Sequence, residues 1–234
     1  MKIYLIISTI LSLLVLPLKH IEAEDARASQ RLTREKDVND PESSVTRAAD
    51  VYGTIIKDAK VPSSVLKNAK CIAVFPNVVT AALAVGGVHG DGLAFCRNTS
   101  GKWSKPVFLD LTGGSIGVQA GVKSANVVLY MSGEKAKEAI QKGEFSLTGE
   151  LSAVAGSFDE SYVAPRQGVI SYTKTEGAFA GASLGGVNIS HDKDEQRAFY
   201  GTYDTSSIFE GSIPQKVAES VDRLISMLPT SQNM

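Results

Sequence analysis

Hydrophobic and polar positions alternate through residues 110–131, DLTGGSIGVQAGVKSANVVLYM, and the rest of the chain is arranged around that stretch. Ile116, Val118, Ala120 and Val122 fall on one face, and Ser115, Gly117, Gln119, Gly121 and Lys123 on the other. A period of two predicts a half-buried strand. The apolar run over 126–131 predicts that the strand continues with both faces covered. Of the 21 glycines, all but Gly53, Gly201 and Gly211 lie between Gly86 and Gly186. Bends, bulges and close backbone approach are expected there.

Before that stretch, Asp40-Pro41 reads as an N-cap and first helical residue. Val45, Ala48, Tyr52, Ile55 and Ala59 then recur at helical spacing, which predicts an amphipathic helix to about Ala59. A short helix is expected over 65–69. Next come a strand at 71–75 stopped by Pro76, a second apolar run at 78–85 closed by Gly86-Gly87, and a third strand from Leu93. Asn98-Thr99-Ser100-Gly101 is turn chemistry and predicts a hairpin.

After the central stretch, Ser132 is expected to cap a helix over 134–142 that Gly143 ends. Residues 145–155 alternate again, and 157–166 reads as an irregular loop. Strands at 169–173 and 178–189 form a further expected hairpin, whose second strand is small-sided at Gly181, Ser183, Gly185 and Gly186. Asp192 and Glu195 stand at capping-box spacing before a short helix to Tyr200, and Ser212 and Gln215 repeat it. Val217, Val221, Leu224 and Leu228 line a C-terminal helix.

The N-terminus changes the picture. Lys2, an apolar run over 3–16, Pro17 and the exit Ile21-Glu22-Ala23 read as a signal peptide over 1–23. The run is short of the roughly 20 residues a spanning helix needs. Residues 24–40 are a polar leader with no apolar period, and 41–230 form the domain. The expected location is therefore periplasmic or secreted, after cleavage near Ala23. Cleavage removes Lys2, Lys19 and Glu22 and takes the net charge from −1 to about −2. Nucleic-acid binding, which needs a strong positive field, is not expected. Cys71 and Cys96 both survive cleavage, and export permits a disulfide between them; two buried thiols are the other reading.

Chemistry is sparse. The glycine clusters at 87–92 and 113–117 are each followed by a strand, whereas a phosphate loop opens a helix. His89 reads as a turn residue and His191 as part of a solvated helix start. No paired His or Cys spacing supports zinc, no cofactor is implied, and no nucleophile elbow occurs. The expectation is a protein that is not an enzyme. Lys57, Lys60, Lys67 and Lys70 have only Asp58 against them in their stretch, a pattern that fits either an anionic membrane surface or a solvated helix face. Trp103, beside Lys102 and Lys105, reads equally as interface or core.

Several segments in one order resemble the SYLF domain family, lipid-binding modules of exported bacterial proteins and of eukaryotic membrane-traffic and actin-patch proteins. They are KVPSSVLKNAK, CIAVFP, Gly86-Gly87, GKWSKP, the central stretch, FSLTGELSAVAG, SYTKTEGAFAGASLGGVNI and RAFYG, landmarks within a resemblance that covers about Val45 to Gly211. The resemblance implies a compact α+β domain that binds lipid. With the glycine-rich strands, the expected architecture is a strongly curved, mainly antiparallel, barrel-like sheet with N-terminal, middle and C-terminal helices packed on it.

In eukaryotic members the resemblance implies phosphoinositide binding through a basic helix ahead of Val61-Pro62. Here that helix carries Arg47 and Lys57 against Glu42, Asp50 and Asp58, so generic anionic phospholipid is the expected partner. A signal peptide without an SH3 or FYVE appendage resembles the exported branch, in which actin would not be met. The alternative is an envelope structural or interaction module that receives a protein partner on its small-sided strands.

Overall fold

The computed structural model describes residues 40–147, 153–155, 168–175, 178–179, 186–212 and 219–230. Its centre is a two-stranded ribbon. Strand β1 (Ala69–Cys96) and strand β2 (Val107–Ser132) pair antiparallel from Ala69 opposite Ser132 to Ala94 opposite Val107. The turn between them is held by Asn98 Oδ1, which accepts from the backbone N–H groups of Ser100 and Lys102.

A straight strand of 28 residues would span roughly 90 Å. Instead β1 turns back on itself. Its ends meet at Cys71 and Cys96, which are disulfide-bonded with Cα atoms 4.1 Å apart, and the Arg97 N–H donates to the Lys70 carbonyl at 2.7 Å. Register shifts at Ala69/Cys71, Phe75/Val78 and Ala82/Ala84 are bulges, which bend and twist a strand. Asn77, with φ 59°, marks the second of them. Glycine is required where the two halves of the ribbon press together. A Cβ on Gly90 would stand 2.9 Å from a Val78 methyl, and one on Gly92 would strike the Phe75 ring and the Val74 carbonyl.

Two expectations change here. Pro76 does not stop a strand, because it sits inside the Phe75/Val78 bulge of β1, whose described pairing is with β2 alone; a missing N–H is tolerated there. His89 is not a turn residue, since it lies within β1 opposite Thr112.

The other edge of β2 is shared. Its first part pairs with β7 (Val187–His191), from Leu109 opposite His191 to Gly113 opposite Val187. Its last part pairs with β5 (Gly168–Thr175), from Asn126 opposite Lys174 to Ser132 opposite Gly168. Strand β3 (Glu144–Ser146) extends the sheet beyond β7, and β4 (Ala153–Ala155) joins β5 as the parallel pair among the described strands. Strand β6 (Ala178–Phe179) pairs antiparallel with β5. The expected second hairpin is therefore divided, because β7 leaves β5 and pairs with β2 and β3. Residues 148–152, 156–167 and 180–185, which include the expected loop and most of the small-sided positions, lie outside the described residues.

Helix α1 (Pro41–Asp58) buries Val45, Ala48, Ala49, Tyr52 and Ile55. Gly53 leaves room for the Met227 sulfur of α6 (Glu219–Met227), and Arg223 bonds Asp50 at 2.9 Å. Helix α2 (Ser63–Asn68) leads into β1, and α3 (Glu134–Lys142) ends on Gly143 in the left-handed region, as its sequence predicts. The N-cap of α3 is Gly133 rather than Ser132, whose hydroxyl donates to the Gly168 carbonyl. Asp192 caps α4 (Lys193–Tyr200) by accepting from the Glu195 N–H, and Asp204 caps α5 (Thr205–Glu210). The start expected for the C-terminal helix at Ser212–Gln215 falls largely outside the described residues.

Strand residues 71–75, 127–131 and 169–173 are all buried, so both faces of this part of the sheet are covered. One face presents Ile72, Tyr130 and Tyr172, with Tyr130 and Tyr172 in edge contact at 5.7 Å; the opposite face carries Phe75, which meets the folded-back half of β1. The α+β expectation and its curled, mainly antiparallel sheet with helices at the start, middle and end are borne out.

A candidate anion-binding surface

The four lysines singled out in the sequence lie on the connection from α1 into β1. Lys57 is in the last turn of α1, Lys67 in the last turn of α2, and Lys70 is the second residue of β1. Lys60 sits between the helices in a left-handed turn, with φ 47°. The connection is held from beneath by buried Val61, Pro62 and Val65, and the Pro62 carbonyl accepts from the Val65 and Leu66 N–H groups. Apolar residues anchored at 61, 62 and 65 leave the lysines outside, and all four are exposed.

Their charge environment is uneven. Lys70 Nζ lies 3.3 Å from Glu134 at the start of α3, whereas Lys57, Lys60 and Lys67 have no ion pair among the described residues. Asp58, the acid nearest these three in sequence, is bonded at 2.7 Å by Lys174 of β5. Lys174 brings a further cation to the surface. Sequence reasoning missed it, because it lies 116 residues from Asp58 and reads locally as part of a turn. Only the pairing of β5 with β2 places it there.

Trp103 is half-buried and structural. Its indole N–H donates to the Pro229 carbonyl at 3.0 Å, and Arg97 Nη2 donates to the same oxygen at 2.6 Å while its guanidinium stacks over the Trp103 ring at 4.3 Å. The pair tethers the segment after α6 to the turn of the ribbon.

The histidines have structural surroundings too. His191 Nε2 contacts the Ile140 carbonyl at 2.7 Å and Nδ1 contacts the Thr205 hydroxyl at 3.1 Å; burial holds its pKa below the usual value. His89 Nε2 lies 3.3 Å from Asp91, which stands directly opposite Asp110 across the ribbon. Burial, then Asp192 and Asp91, raise the Asp110 pKa to about 6. Glu195 rises to about 7, chiefly by burial, with a hydrogen bond from Ser44 pulling the other way. Among the described residues no group of three His, Cys, Asp or Glu side chains is arranged to hold a metal ion. No described helix is long and apolar enough to cross a membrane.

Comparison with known proteins places this chain in a family. The model described as Ysc84, Las17-binding protein actin regulator, matches residues 112–230, and the chain belongs to that family, the SYLF domain proteins. It is similar to Protein YSC84 of Saccharomyces cerevisiae, 30% identical over 202 residues, which cover 80% of this chain and 42% of the yeast protein. It is 32% identical over 149 residues to the human SH3 domain-containing YSC84-like protein 1, covering 61% of this chain and 43% of that protein. LAS seventeen-binding protein 3 of Saccharomyces cerevisiae is 28% identical over 202 residues, 80% of this chain and 43% of its own length. The chain thus spans less than half the length of these curated relatives. No solved structure matches it.

Proposed function

We propose that this domain is an exported, non-enzymatic module that associates with anionic phospholipid surfaces through Lys57, Lys60, Lys67 and Lys70. The observation that carries the reading is the set of exposed lysines at 57, 60 and 67, which have no ion pair among the described residues and stand on a connection pinned by buried Val61, Pro62 and Val65. Such lysines each add about 1 kcal/mol of attraction at an anionic bilayer, and they have little compensating work inside the fold. Export is supported by the apolar run over 3–16 and by the disulfide, which suits an oxidising compartment.

Sedimentation with vesicles tests it. Protein beginning at Glu24 is expected to pellet with phosphatidylserine-containing vesicles at low salt, to be released at high salt, and to be lost from the pellet when all four lysines become glutamine. Binding that ignores both the lipid charge and the four substitutions would sink the reading.

A second reading has its own support. The matching family is described as Las17-binding and actin-regulating, so a protein partner in place of lipid is the alternative. Co-sedimentation with purified actin filaments, run beside the vesicles, separates the two.

A further inference from the structure

Two carboxylates beside these lysines are already engaged by a lysine. Asp58, adjacent to Lys57, is bonded by Lys174 at 2.7 Å; Glu134, two residues beyond the Ser132 that pairs with Ala69, lies 3.3 Å from Lys70. The side chains stay partly open to solvent, at 27% for Lys174, 40% for Asp58, 46% for Lys70 and 67% for Glu134. None of these pairs is locked into the core. Exposed ion pairs of this kind contribute little to stability, so they exchange partners readily when a stronger field is offered.

We propose that Asp58 and Glu134 are built-in counter-charges that set a threshold for binding, so that Lys174 and Lys70 turn to the bilayer only when its anionic density is high enough to displace them. The inference rests on the lipid-binding reading above and adds Lys174 to its residues. Its physics has two parts. At low anionic density, Lys57, Lys60 and Lys67 supply the attraction, while the two carboxylates are repelled by the same surface. At high density the bilayer phosphates and carboxylates outcompete Asp58 and Glu134, and two further lysines engage. Because side-chain rotation alone exchanges the partners, no rearrangement of the ribbon is required.

The test compares affinity across vesicles with rising phosphatidylserine in phosphatidylcholine. Wild-type protein is expected to bind weakly at low phosphatidylserine and to tighten steeply. Asp58→Asn and Glu134→Gln are each expected to tighten binding roughly fivefold at low phosphatidylserine, the change one unit of charge makes near such a surface. The double variant should show a flatter dependence on lipid composition. Lys174→Met, which leaves the Asp58 charge uncompensated, is expected to weaken binding at every composition, whereas Lys174→Met combined with Asp58→Asn, which removes both charges, is expected to weaken it only at high phosphatidylserine. Thermal unfolding of each variant checks that the fold is retained.

If wild type binds through Lys57, Lys60 and Lys67 yet the Asp58 and Glu134 variants have wild-type affinity at every composition, the threshold is overturned and the lipid reading stands. If wild type ignores anionic vesicles altogether, the lipid reading fails and the threshold fails with it.

Discussion

Asp110 and Glu195 show how single side chains tie stability to pH. Asp110 lies on β2 opposite Asp91 of β1 and Ser190 of β7, and Glu195 lies in the first turn of α4 against Ser44 of α1. Their pKa values of about 6 and about 7 stand above the value near 4 of an unfolded carboxyl. The folded state therefore keeps protons that the unfolded state releases. The stabilisation they give is complete below about pH 4 and is lost as pH rises through 6 and 7. Urea midpoints are expected to be higher at pH 5 than at pH 8, and Asp110→Asn should shrink that difference. A variant that keeps the full wild-type slope would show that Asp110 is not a source of it. The facing charges are part of the same account: His89 beside Asp91 lowers the Asp110 pKa, and Arg47 lowers that of Glu195, but neither outweighs burial.

Among the elements, β1 carries the architecture. Sequence breaks it into three pieces at Pro76 and at Gly86-Gly87, whereas the structure runs it unbroken from Ala69 to Cys96. Bulges absorb the breaks, and glycines let its halves touch. Gly92→Ala is expected to cost about 1–3 kcal/mol by overpacking, since Val74 and Phe75 stand where the methyl would go. Gly114→Ala, which meets nothing within 4 Å, is the matched control and should stay within about 0.5 kcal/mol of wild type. Equal losses from both substitutions, measured by urea unfolding, would mean that the ribbon halves are not pressed together as described.

For the molecule as a whole, the disulfide is the clasp on that fold. It closes a loop over a sequence separation of 25, and chain-entropy reasoning assigns such a loop about 3.5 kcal/mol. Both cysteines are fully buried. Cys71→Ser with Cys96→Ser is expected to lower the unfolding free energy, read from urea unfolding, by about that amount and to move the midpoint down with it, while any vesicle binding at low temperature is unaffected, because the lysines are anchored by Val61, Pro62 and Val65. A midpoint unchanged by the double substitution or by reductant would remove the clasp from the account.

Several features were set by the sequence alone. Local periodicity marks α1 by Val45, Ala48, Tyr52 and Ile55, and local chemistry marks Gly143 as a helix end and Asp192 as a cap; each of these depends on neighbours within one or two turns. The four lysines were legible for the same reason, being close together in the chain with few acids between them. Tertiary structure decided whatever joins distant segments: the meeting of Cys71 with Cys96, the departure of β7 from β5 to pair with β2, and the arrival of Lys174 at Asp58. A residue's own spacing pattern reports which face it occupies but carries no record of what is folded against that face. That partner is chosen by burial and strand register across the whole sheet, so the counter-charge on Asp58 became visible only once β5 was in place beside β2.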